Sequence, residues 1–98
     1  MDEISNKEIA KILSEFADLM AIKGENDFKI RAYSNAARKI ESSADNISEL
    51  AAADQLKEIN GIGSGIAETI SELLQEGLIE EMEAIKAELP PGVIEMTD

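Results

Sequence analysis

"INGIGSGIAETI", residues 59–70, decides how the chain is read. Gly61, Gly63 and Gly65 alternate with other residues, and Ile66, Ala67 and Ile70 follow at helical spacing. Glycine at 61 and 63 permits positive φ and leaves no side chain above the loop. The backbone N–H groups of residues 61–66 can then converge at a helix N-terminus, where the helix dipole adds partial positive charge. That would grip a phosphate without a charged side chain, and carbonyls across the hairpin could hold a monovalent cation. The same spacing also fits a tight corner between two helices that needs glycine for geometry alone. Two other phosphate motifs are excluded. No Lys-Ser/Thr follows, as a P-loop requires, and the G-x-G-x-G spacing without a preceding strand does not fit the dinucleotide fingerprint.

Outward from this turn the chain reads as helices. "SNKE", residues 5–8, is a capping box ahead of Ile9, Ile12, Leu13, Phe16, Leu19 and Met20 at helical spacing. Gly24 stops this helix near residue 23. Asn26 or Asp27 caps a second helix over about 28–42. Its apolar face holds Ile30, Tyr33, Ala37 and Ile40, with Lys29 at the flank one turn before Tyr33. Arg31, Asn35 and Arg38 lie on another face, at i, i+4 and i+7. A short third helix is expected at about 47–53, a stub "DQLKEI" leads into the turn, and a fourth helix covers about 65–76 up to Gly77. A fifth, about 79–88, ends at Pro90-Pro91. The expected architecture is all-α: a compact bundle of four to five helices over residues 1–89, with two helical segments joined by the glycine hairpin at 56–76 and a tail at 90–98.

Composition narrows the chemistry. The 98 residues suit one small domain. There is no cysteine for a disulfide or a thiolate zinc site, and no histidine as base or metal ligand. The only aromatics are Phe16, Phe28 and Tyr33, so Ile, Leu, Met and Ala must fill the core. No apolar run approaches the roughly 20 residues of a membrane span, so no membrane partner and a cytoplasmic location are expected. The net charge of −12 falls unevenly. Residues 1–39 carry seven basic and seven acidic side chains; residues 40–98 carry Lys57 and Lys86 against fourteen acids. Lys23, Lys29, Arg31, Arg38 and Lys39 lie close together, in the one region where an anion would be welcome.

The glycine turn resembles a helix-hairpin-helix motif, a sequence-independent binder of the DNA backbone. The likeness extends to "FADLMAIKGENDFKIRAYSNAARKIE", residues 16–41, and to "LPPGVIEM", residues 89–96. Three blocks in order resemble the N-terminal domain of bacterial and archaeal family X DNA polymerases, and more distantly the lyase domain of polymerase beta. The resemblance implies a helical DNA-binding domain of a gap-filling, base-excision-repair polymerase. It implies that Lys29 and Tyr33 line a 5′-phosphate pocket. It implies that Gly61, Gly63, Ser64, Gly65 and Ile66 grip a backbone phosphate, with Arg31, Arg38 and Lys39 as the surrounding positive field. Carbonyls of Lys57, Ile59 and Ile62 would hold Na⁺ or K⁺, with no other cofactor. The implied partners are gapped or nicked DNA with a 5′-phosphate and downstream polymerase domains, for a monomer associated with the nucleoid.

The chain also departs from that pattern. Thr69 stands where the lyase lysine is expected, and threonine cannot form an imine, so no catalytic residue is assigned within the domain. Neither Ser64 nor Gly65 is basic, and Asn60 replaces a common proline. Glu68, Glu72 and Glu76 form an acidic stripe that reads as a solubilising face, with Glu68 one turn from the glycines. Two rival readings follow: an abasic-site lyase using a displaced Lys57 or Lys29, and an acidic protein-interaction domain that has lost affinity for DNA.

Overall fold

A computed structural model of the chain describes residues 4–59 and 61–88. Five α-helices and one short 3₁₀ turn make the bundle: α1 (Asn6–Lys23), α2 (Asp27–Glu41), α3 (Ile47–Ala52), the 3₁₀ turn (Leu56–Glu58), α4 (Ser64–Glu76) and α5 (Glu80–Glu88). No strand occurs among the described residues. The all-α expectation holds, with helix ends displaced by about one residue. The expected proline stop, the 90–98 tail and Asn60 lie outside the described residues.

Local chemistry sets most of these ends. Ser5 Oγ accepts the Glu8 N–H at 3.2 Å and starts α1. Asn26, rather than Asp27, caps α2, its Oδ1 accepting the Phe28 N–H at 2.7 Å. Asn46 does the same for α3 from the Glu49 N–H at 3.0 Å. Helices α1 and α4 end in left-handed glycines, Gly24 and Gly77, whose N–H groups return to the last turn.

Packing follows the apolar faces. Helices α1 and α2 lie against each other, and Phe16 meets Tyr33 edge to face, ring centroids 5.0 Å apart at 69°. Ile9, Leu13, Met20, Ile40, Ile47, Ile70, Ile79 and Ile85 are fully enclosed, so every α-helix delivers side chains to one core. Met20 and Met82 serve as core filler, as expected.

Four hydrogen bonds, made by Asn6, Ser48 and Glu72, tie separate segments. Asn6 donates to the Asp45 carbonyl at 2.7 Å and accepts from the Ile47 N–H at 2.9 Å, fixing the start of α1 to the start of α3. Buried Ser48 donates to the Ile4 carbonyl at 3.0 Å. Glu72 Oε2 accepts the Glu80 N–H at 2.9 Å and so caps α5. That corrects the reading of the acidic stripe: Glu72 is half-buried and holds two helices together rather than merely facing water.

Candidate functional site

The glycine turn joins the 3₁₀ turn to α4. Leu56, Ile62 and Ile66 are buried beneath it, so the apolar residues between the glycines anchor the loop and leave the glycines outside. The three glycines are there for different reasons. Gly61 sits at φ +96°, in the left-handed region, and a Cβ there would touch the Lys39 stem at 3.6 Å. Gly63 does not use positive φ, as the sequence reading supposed; its φ is −85°. A Cβ added at Gly63 or Gly65 would meet nothing within 4 Å. Neither glycine is demanded by conformation or by packing within the chain. What they preserve is open space above the backbone, the condition for another backbone to come close.

Helix α4 begins without a side-chain cap, unlike α1, α2 and α3. Among the described residues, the N–H groups of Gly63, Ser64, Gly65 and Ile66 have no acceptor. Capping would lower the energy of such a helix end by about 1 kcal/mol. Here Gly63 at the cap position supplies no side-chain acceptor, and the positive end of the helix dipole lies at the turn.

Beside this turn runs a groove on the outer face of α2. Phe28, Arg31, Ala32, Asn35, Arg38, Lys39 and Ser42 line it, and Gly61 closes its end. None of these is acidic, in a chain of 21 acids. Arg31, Arg38 and Lys39 form no ion pair among the described residues. Phe28 is 82% exposed, by far the barest large apolar side chain described. Sequence reading missed it as a candidate. The signal was present: at 100° per residue, Phe28 falls on the same face as Arg31 and Asn35, away from the apolar stripe.

Lys29 and Tyr33 face a different side. Lys29 Nζ pairs with Glu81 Oε2 of α5 at 2.8 Å. The hydrogen bond that Lys29 donates to Glu81 raises the Lys29 pKa above the ordinary lysine value, against a smaller opposing effect of desolvation. The Tyr33 ring is buried, and its hydroxyl lies 2.7 Å from Thr69 Oγ1. Thr69 in turn donates to the Gly65 carbonyl at 3.0 Å. A line of contacts therefore connects Tyr33 on α2 to the first turn of α4, while Lys29 reaches α5. Lys57, Ser64 and Glu68 border a separate shallow surface on the other side of α4. Among the described residues the Lys57 and Ile62 carbonyls accept no hydrogen bond, and the Ile59 carbonyl accepts the Ile62 N–H at 3.1 Å.

An α4 entered through a glycine turn, its N-terminus without a side-chain cap and its apolar residues pinned to a helical bundle, defines a helix-hairpin-helix domain. The chain belongs to that family, whose pattern matches residues 4–79. Its likeness is to the domain as family X polymerases carry it: over 88 residues, 90% of the chain, it is 33% identical to DNA polymerase/3′-5′ exonuclease PolX of Bacillus subtilis (strain 168). The chain spans about 15% of that relative's length.

Proposed function

We propose that this domain binds DNA independently of sequence, positioning a gapped or nicked duplex for a gap-filling repair polymerase of which it is one part. The uncapped amides of α4 beside open glycines carry this reading. They would take one backbone phosphate, and the acid-free groove of Arg31, Arg38 and Lys39 would continue the strand's path over α2. Phe28 at the groove's end offers a ring face to an unstacked base in the gap. Lys29 and Tyr33, one turn apart on the neighbouring face, would meet the 5′-phosphate of the downstream strand. The Lys57, Ile59 and Ile62 carbonyls would hold Na⁺ or K⁺ at the hairpin, where a cation offsets phosphate repulsion. The domain would act as a monomer, inside the cell, on the nucleoid.

The lyase reading finds less support. Thr69 is tied into hydrogen bonds and carries no amine. Lys29 is held by Glu81 in its charged form, which cannot attack a carbonyl.

The deciding experiment titrates an isotope-labelled sample with a gapped duplex bearing a 5′-phosphate, at low salt, while backbone amides are followed. Shifts at Gly61–Ile66, along Phe28–Lys39 and at Tyr33 are expected. Silence at those residues would end the DNA reading; shifts on the 65–88 helices when a basic partner is titrated instead would favour a protein-interaction surface.

A further inference from the structure

In the Lys29–Tyr33 pocket the donors are already committed. Thr69 has one hydroxyl proton, and it goes to the Gly65 carbonyl. Tyr33 must therefore be the donor in its 2.7 Å contact with Thr69. Its proton points into the protein, and only lone pairs are left for a ligand. Lys29 is the cation one turn before Tyr33, and Glu81 holds it at 2.8 Å. The other lysines nearby are also engaged: Lys23 with Glu25 and Glu88, Lys86 with Glu83. The Lys29–Glu81 pair is electrically neutral, and the first turn of α5 adds Glu80 and Glu83.

An approaching phosphate must share Lys29 with this carboxylate and is repelled by it. The repulsion grows with the ligand's charge. A phosphodiester inside a strand carries one negative charge, while a terminal phosphomonoester carries about −1.5 to −2 at neutral pH. Glu81 therefore acts most strongly against the terminal phosphate.

We infer that Glu81 is a specificity-determining residue, standing in for a phosphate oxygen at Lys29 and holding down the pocket's preference for a phosphorylated over a hydroxyl 5′ end. The inference rests on the reading that Lys29 faces the DNA end. It gives the domain a weak sense of end chemistry, while the α4 amides and the α2 groove supply binding common to all ends.

Two gapped duplexes that differ only in a 5′-phosphate or a 5′-hydroxyl test it, with affinities measured at low salt. The unmodified chain is expected to prefer the phosphate by no more than about threefold, in line with the small worth of exposed ion pairs. Glu81→Gln keeps the side chain's size and removes its charge, and is expected to raise that preference about threefold to tenfold further. Glu80→Gln makes the same change in net charge one residue away, on a carboxylate that does not hold Lys29, and should raise the preference far less. Adding Lys29→Ala to Glu81→Gln should abolish the gained preference. An unchanged preference in Glu81→Gln, or an equal rise in Glu80→Gln, overturns the inference. If Lys29→Ala alone still weakens binding, only the role of Glu81 has failed. If Lys29→Ala alters neither duplex, the pocket reading beneath it has failed as well.

Discussion

The hydroxyl of Tyr33 on α2 donates to that of Thr69 on α4, 36 positions later, across 2.7 Å. The contact joins the aromatic core to the helix that carries the glycine turn. Tyr33→Phe keeps the ring against Phe16 and loses only the hydrogen bond, so it should cost about 0.5–1.5 kcal/mol in denaturant unfolding. Thr69→Val should cost a similar amount. The double variant should lose less than the sum of the two, because each single change already removes the shared bond. Full additivity in that cycle would show the hydroxyls to be uncoupled.

The three glycines should separate under substitution. Gly61→Ala forces a side chain to φ +96°, and should destabilise the fold by about 1–2 kcal/mol. Gly65→Ala fills open space in the first turn of α4 and should raise stability by up to about 1 kcal/mol. Gly63→Ala should leave stability nearly unchanged. Both Gly63→Ala and Gly65→Ala should nevertheless weaken DNA binding, since each methyl stands where the ligand's backbone would come close. Thermal melts beside binding curves check this; unimpaired binding by both variants would reduce the turn to a corner.

Phe28 should contribute nothing to folding and much to recognition of a gap. Being 82% exposed, it can be replaced by alanine with a stability change within about 0.5 kcal/mol. Loss of a stacking platform is worth about 1–3 kcal/mol per base. Phe28→Ala should therefore weaken binding to a gapped duplex and to a single strand, and leave an intact duplex nearly unaffected. Arg31→Ala and Arg38→Ala should instead weaken all three and flatten the dependence on salt. Equal losses for Phe28→Ala on every substrate would refute the stacking role.

The Lys29–Glu81 pair predicts a pH dependence of definite sign. The Lys29 pKa is raised in the folded state above the ordinary value of 10.5. Its contribution to stability is therefore full below that value and is lost as the pH climbs through the folded-state pKa. The effect is small, because both side chains are more than a third exposed. Carbon chemical shifts at the Lys29 side chain, followed through alkaline pH, should give a midpoint above 10.5 that falls in Glu81→Gln.

Much of the fold was legible because its signals are local. Ser5, Gly24, Asn26 and Gly77 act on amides or carbonyls within a turn of themselves, and 3.6-residue spacing exposed each apolar face. The open glycines of the turn were legible for the same reason. What stayed hidden needed tertiary contacts. Glu81 reaches Lys29 across 52 positions, and Asn6 binds residues about forty positions away, so no spacing rule connects them. Glu72 looked like one member of a solvent stripe until the chain folded back to place the first amide of α5 beside it. Gly63 misled in the other direction: its composition suggested an unusual backbone, whereas its use lies in what it leaves empty.

The acid-free groove on α2 also makes the molecule lopsided to anything viewing it from afar. A polyanion several ångströms beyond contact repels the acid-rich remainder and attracts this one strip, so it exerts a torque before any atoms touch. Encounters would begin with α2 turned toward the nucleic acid, and tumbling in the wrong orientation would be cut short. With a net charge of −12 the approach as a whole stays opposed, so the strip selects the orientation of an encounter rather than speeding it. The domain would lose that orientation once salt shortens the reach of the field to about 8 Å.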